Sequence, residues 1–211
     1  MRSSTIRLFG LFLLVAGLAA FAGAATAQTV INEIRIDQTS TDNDEYFELL
    51  GTPLASLTGL TYIVIGDGTG ASGVIEAVVD LTGQSIPASG YFVAAEATFT
   101  LGTANLVTNL NFENSDNVTH LLVSGFTGAN GDDLDTNDDG VLDVTPWTSI
   151  VDLIALVEEE NPPSATEYHY GPPSVGPDDI YVPGHVYRCP DIANQWQIGQ
   201  FDIVGGQDTP G

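Results

Sequence analysis

The chain has 211 residues and a formal net charge of −24, from 28 acidic against four basic side chains, with no lysine among them. A surface of this sign repels phosphate backbones and anionic lipid headgroups, which excludes nucleic acid as a direct partner. It concentrates divalent cations instead, and it suits a salty medium.

In chain order, MRSSTIR is a basic start, an apolar run follows from Leu8 to Ala25, and Ala25-Thr26-Ala27 is an A-x-A site. Together they predict a secretory signal peptide over residues 1–27, cleaved after Ala27. An uncleaved membrane anchor is the alternative, which Gly10, Gly17, Gly23 and the small-residue site disfavour. Removal of residues 1–27 leaves 184 residues, enough for one domain with a substantial core. Only Arg35 and Arg188 then face the 28 acids, a formal net charge of −26.

Strand-like runs fill the rest: VINEIRI (30–36), YFELL (46–50), LTYIVIG (60–66), VIEAVVDL (74–81), YFVAA (91–95), VTHLLVS (118–124), SIVDLIALV (149–157), HVYR (185–188) and WQIG (196–199). All are β-branched or aromatic. TDND, GDGTG, PASG, NSDN, NPPS and GPPSVGP separate them as turns. SIVDLIALVEEENP is the main competitor for a helix, but its β-branched start and the proline pair after Asn161 favour a strand entering an acidic loop. Many short strands between glycine- and proline-rich turns predict an all-β sandwich or barrel with long acidic and proline-rich loops.

INEI (31–34), DEYFEL (44–49), LTGL (57–60), IPASGYFV (86–93) and a closing WQIG with DTPG (208–211), in that order, resemble the bacterial lamin tail domain. The resemblance spans about Val30 to Gly211 and implies an immunoglobulin-like β-sandwich. It further implies a binding or scaffolding module of the kind that accompanies secreted nucleases, phosphatases or surface proteins. The segment from Gly125 to Trp147 departs from it as an insertion.

Catalytic patterns are poor. Glu45 and Glu48, three apart on a strand, point to opposite faces and cannot flank one bond. Glu33 and Glu48 are expected to accept hydrogen bonds from loop amides. His120, His169 and His185 have no zinc spacing and no oriented partner in sequence, and Cys189 stands alone as a half-buried thiol. GDGTGASG (66–73) matches no phosphate loop and reads as a turn. YHYGPPSVGPDDIYVPGHVY (168–187) either packs its tyrosines over the end of the sandwich or offers a sugar- or protein-binding shelf; the first is favoured.

The strongest chemical signal is NGDDLDTNDDGVLD (130–143), with six aspartates. Asp135, Asn137 and Asp139 at positions one, three and five, Gly140 at six, the Val141 carbonyl at seven and Asp143 at nine reproduce a calcium loop. Hard oxygen ligands in this order select calcium over softer metals. Pro146 stands where an EF-hand carries its bidentate glutamate, so a remaining ligand is expected from Asp132, Asp133 or Asp152. Without a cation the aspartates should repel and leave the loop mobile between VTHLLVS and SIVDLIALV. The expectation is a secreted, non-catalytic module stabilised by calcium that binds a protein or polysaccharide at a cell surface. A secreted hydrolase or its accessory subunit is the alternative.

Overall fold

The computed structural model describes residues 28–68, 72–160, 167–189 and 195–203. The expected signal peptide at 1–27, the prolines after Asn161, residues 69–71 of the glycine-rich turn and the closing DTPG lie outside the described residues. The described residues are all-β and form two mixed sheets.

One sheet holds β1 (Val30–Arg35), β2 (Tyr46–Leu50), β5 (Tyr91–Ala95), β6 (Leu106–Val107), β10 (His185–Cys189) and β11 (Gln195–Ile198), in the order β11-β10-β1-β2-β5-β6. The other holds β3 (Leu60–Gly66), β4 (Val74–Asp80), β7 (Val118–Ser124), β8 (Ser149–Leu156) and β9 (Ser174–Val175), in the order β4-β3-β7-β8-β9. The expected strands all form, with bounds within one residue of those read from sequence. β6 and β9 were not expected. Each is two residues long and pairs in parallel with β5 or β8, too short to leave a period in the sequence.

The inner faces meet in a sandwich-like core. Ile31, Ile34, Phe47 and Phe92 from the six-stranded sheet pack with Tyr62, Val64, Leu122 and Ile154 from the five-stranded one. The rings of Phe47 and Tyr62 stack across the interface with centroids 3.7 Å apart. A bulge explains the spacing in INEI. The pairing of β1 with β2 steps from Ile31↔Leu49 to Glu33↔Glu48, so Asn32 is the extra residue, and Ile31 and Ile34 both reach the core although three apart. Arg188 and Asp152 clamp the sheets together: Arg188 Nη2 donates to Asp152 Oδ2 at 2.6 Å, Arg188 Nε donates to the Ile31 carbonyl, and the Ile31 amide donates to Asp152.

The outer face of the five-stranded sheet is apolar as well. Ile63, Ile65, Ile75, Leu121 and Val123 lie there beneath Leu134 and Tyr170, flanked by Phe126, Leu142, Trp147 and Tyr168. The 125–147 segment and the start of the 168–187 segment therefore form a third layer over this sheet.

Candidate functional site

The acidic loop is fastened by protein groups. Gly131 N donates to Ile75 O at 2.7 Å, Ile75 N to Asp132 O at 2.9 Å and Leu134 N to Gly73 O at 2.9 Å, so residues 131–134 run along the free edge of β4. Leu134 buries its side chain on the outer face, and its carbonyl accepts from Asp143 N and Val144 N, closing the ring of residues 134–144. These contacts to β4 add to the expected pinning between VTHLLVS and SIVDLIALV. Burying one leucine and pairing the backbone with an open sheet edge offsets much of the aspartate repulsion.

Asp135 is the centre of the loop. It is fully buried, and its carboxylate accepts from Asp139 N at 3.2 Å, Gly140 N at 2.8 Å and the Tyr170 hydroxyl at 2.8 Å. The approach is close enough to demand glycine at two points. A Cβ on Gly73 would meet Asp135 Cβ at 2.6 Å, and one on Gly140 would meet the Tyr168 ring at 2.9 Å. Gly140 also has φ +82°, the left-handed conformation expected at position six.

The other expected ligands are exposed: Asn137, Asp139, Val141 and Asp143. Asp139 Oδ1 accepts from Val141 N at 3.0 Å, and Asp143 Oδ2 from the Thr136 hydroxyl at 2.6 Å. Of the candidates for the remaining ligand, Asp152 is committed to Arg188 and Ile31, Asp132 accepts from Ala129 N and Asp133 from Asp135 N. Asp138, not counted as a ligand in the sequence, accepts from Ser72 N at 2.9 Å.

A second acidic group lies on the same sheet. Carboxylate oxygens of Asp67, Glu76 and Glu113 fall within 4.8 Å of one another and could hold a metal ion. Glu76 is the bulge residue of β4, skipped where the pairing steps from Val64↔Ala77 to Ile65↔Ile75. Its Oε2 is buried without a hydrogen bond. Burial, then the charges of Glu113, Asp67 and Asp116, push the Glu76 carboxyl up to about 7. Burial and the neighbouring Asp116 and Glu113 push Asp67 up to about 6. Nothing local in the sequence signals this cluster, because its members are drawn from β4 and two separate loops.

The residues considered for catalysis each have structural partners, and Glu33 and Glu48 stand opposite one another in the β1–β2 register. Glu48 accepts from the Asn32 side chain at 2.7 Å, and Glu33 from the Tyr46 hydroxyl and from His185 Nε2 at 2.9 Å when that nitrogen is protonated. For Glu33 the expected loop-amide partners are replaced by side chains from β2 and β10. Glu45 accepts from Phe112 N at 3.2 Å, and burial pushes its carboxyl up to about 8. His120 lies in the core, hydrogen-bonded through Nδ1 to the Tyr62 hydroxyl at 2.8 Å, and burial depresses it to about 3. Cys189 is a half-buried free thiol.

In the proline-rich segment Tyr168 and Tyr170 pack over the five-stranded sheet, whereas Tyr181 is exposed. It lines a hollow of about 360 Å³ with Asp37, Asp178, Asp179, Val182 and Phe201. No family model, curated protein or solved structure matches the chain.

Proposed function

We propose that the protein is an exported, non-catalytic binding module with a lamin-tail-like, immunoglobulin-like sandwich, stabilised by calcium in the 135–143 loop. The observation that carries this reading is Asp135. It is a buried carboxylate at position one of a calcium-loop spacing, already oriented by the Gly140 amide and the Tyr170 hydroxyl. Asn137, Asp139, the Val141 carbonyl and Asp143 would supply the remaining protein oxygens. Bound calcium would neutralise part of the aspartate charge, and the loop's role is to keep the apolar outer face of the five-stranded sheet covered. The lamin-tail reading is supported by where the motif residues lie: Ile31, Ile34, Phe47, Leu49, Leu57, Ile86 and Phe92 are all buried in the central core. A binding role is favoured over catalysis because each candidate carboxylate is engaged structurally: Glu33 by His185 and Tyr46, Glu48 by Asn32 and Glu45 by the Phe112 amide.

Thermal melts in about 10 mM calcium and in chelator test this. An extracellular-type affinity of roughly 10⁻⁴–10⁻³ M stabilises by about 1.4–2.7 kcal/mol at that concentration. In a domain of this size that raises the melting temperature by about 3–11 °C. Asp139→Ala should remove the difference, and equal melting temperatures in the two buffers would sink the calcium reading.

A further inference from the structure

We propose that the hollow between the 178–181 turn and the 199–202 segment receives a cationic side chain, lysine or arginine, from a peptide partner. The inference rests on the binding-module reading and gives that module a ligand class.

The hollow is built on fixed backbone. Asp178 and Tyr181 exchange two backbone hydrogen bonds, at 2.9 and 3.1 Å, across a tight turn in which Asp179 takes φ +58°. Behind Val182, the Gly184 carbonyl accepts from the amides of Ile36 and Asp37 and ties the turn to the end of β1. The opposite wall is tied down twice. Phe201 lies against Gly184, where a Cβ would come within 2.7 Å of its ring, and Asp202 accepts from Thr39 N at 3.1 Å and from the Thr39 hydroxyl at 2.7 Å.

The lining selects the ligand. Its charged groups are the carboxylates of Asp37, Asp178 and Asp179, and its apolar surface is the rings of Tyr181 and Phe201, 65% and 40% exposed, over Val182. Among these side chains the Tyr181 hydroxyl is the one hydrogen-bond donor when the carboxyls are ionised. An anion would be repelled, and a neutral sugar would find acceptors for its hydroxyls but few donors for its ring and hydroxyl oxygens. A lysine or arginine side chain matches both parts. Its hydrocarbon stem covers aromatic and aliphatic surface while its head meets ring faces and carboxylates.

The surrounding field has the same sign. Asp42 acts on Asp37, and Asp202 lies next to Phe201, while Arg35 is the described cation that acts on both Asp37 and Asp202. Five carboxylates thus line or border the hollow, and Arg35, which acts on two of them, is itself only 3% exposed. Among the described residues a second copy offers no free cationic side chain: there is no lysine, Arg35 is buried, and Arg188 is held by Asp152 and by the Trp196 ring at 4.8 Å. The partner is therefore a different molecule, drawn in by the acidic surface.

Titration of residues 28–211 with a glycine-flanked trilysine peptide, followed by calorimetry and by NMR shifts of Tyr181 and Phe201, tests the proposal. Binding should be saturable, lost with the Nε-acetylated peptide, and weakened about tenfold by Tyr181→Ala and by Asp178→Asn/Asp179→Asn. Asp80→Asn, on an exposed residue of β4, controls for the general acidic field and should change nothing. Equal affinity in the Tyr181→Ala protein would overturn the hollow as the site while leaving a binding module intact. Tighter binding of a chitosan oligomer at Tyr181 would replace the peptide with an amino-sugar polymer and so overturn the partner named here. Cleavage of the peptide, seen as fragments by mass spectrometry, would overturn the binding-module reading itself.

Discussion

Replacing Tyr170 with phenylalanine isolates how the acidic loop is held. The ring stays in its apolar layer with Leu134, Ile63 and Leu121, and only the hydroxyl is lost. That hydroxyl donates to Asp135 Oδ2 at 2.8 Å and accepts from Ser72 Oγ at 3.1 Å, with both partners belonging to fully buried residues. A hydrogen bond to a charged group contributes about 1.5–3 kcal/mol, and here its loss leaves Asp135 with two amide donors instead of three partners. At roughly 2–4 °C per kcal/mol for a chain of this length, the melting temperature should fall by about 3–12 °C. Urea unfolding should show a lower midpoint at unchanged slope, because the surface exposed on unfolding is the same. Hydrogen exchange should quicken first at the amides of Asp139 and Gly140, which bond to the same carboxylate. A Tyr170→Phe protein within about 0.5 kcal/mol of the parent, with unchanged exchange at those amides, would refute Asp135 as the anchor of the loop.

Arg188→Met should destabilise by about 3 kcal/mol, toward the lower end for a broken buried pair because both partners keep some solvent, as read by urea titration; a neutral result would contradict the inter-sheet clamp. Glu76 has a folded carboxyl raised above its unfolded value, so its contribution is complete below about 4.5 and is lost as pH rises through about 7. Glu76→Gln should therefore raise the melting temperature at pH 8 and leave it nearly unchanged at pH 4, and the opposite ranking would contradict the crowding of Asp67, Glu76 and Glu113. His120, depressed by burial to about 3, should show no ring titration by NMR between pH 5 and 8, whereas a midpoint near 6.5 would place it in water.

The strands were legible because each long one has a β-branched or aromatic run bounded by turn residues, and β1–β5, β7, β8, β10 and β11 all obey that rule. The layering was less so. LTYIVIG and VTHLLVS run apolar on both faces, a pattern of strands covered on two sides, and the cover proved to be the acidic segment with Tyr168 and Tyr170. Leu134 is the decisive residue: one leucine inside a run of aspartates reads as a loop residue in sequence, but it is what fixes that run to the sheet. The calcium spacing was visible because its members alternate within nine residues of one segment. Asp67, Glu76 and Glu113, Glu33 with His185, and Asp37 with Tyr181 and Phe201 were not, since each group is assembled by strand register, bulges and long-range packing that no local period encodes.

The most direct test of calcium stabilisation is an amide NMR titration of residues 28–211 with calcium chloride. The prediction is a saturable set of shifts at Asp135 to Asp143, with a midpoint of roughly 0.1–1 mM, largest at Gly140 and lost in Asp139→Ala. Unmoved loop amides at millimolar calcium, or shifts confined to Asp67, Glu76 and Glu113, would contradict a calcium site in the loop.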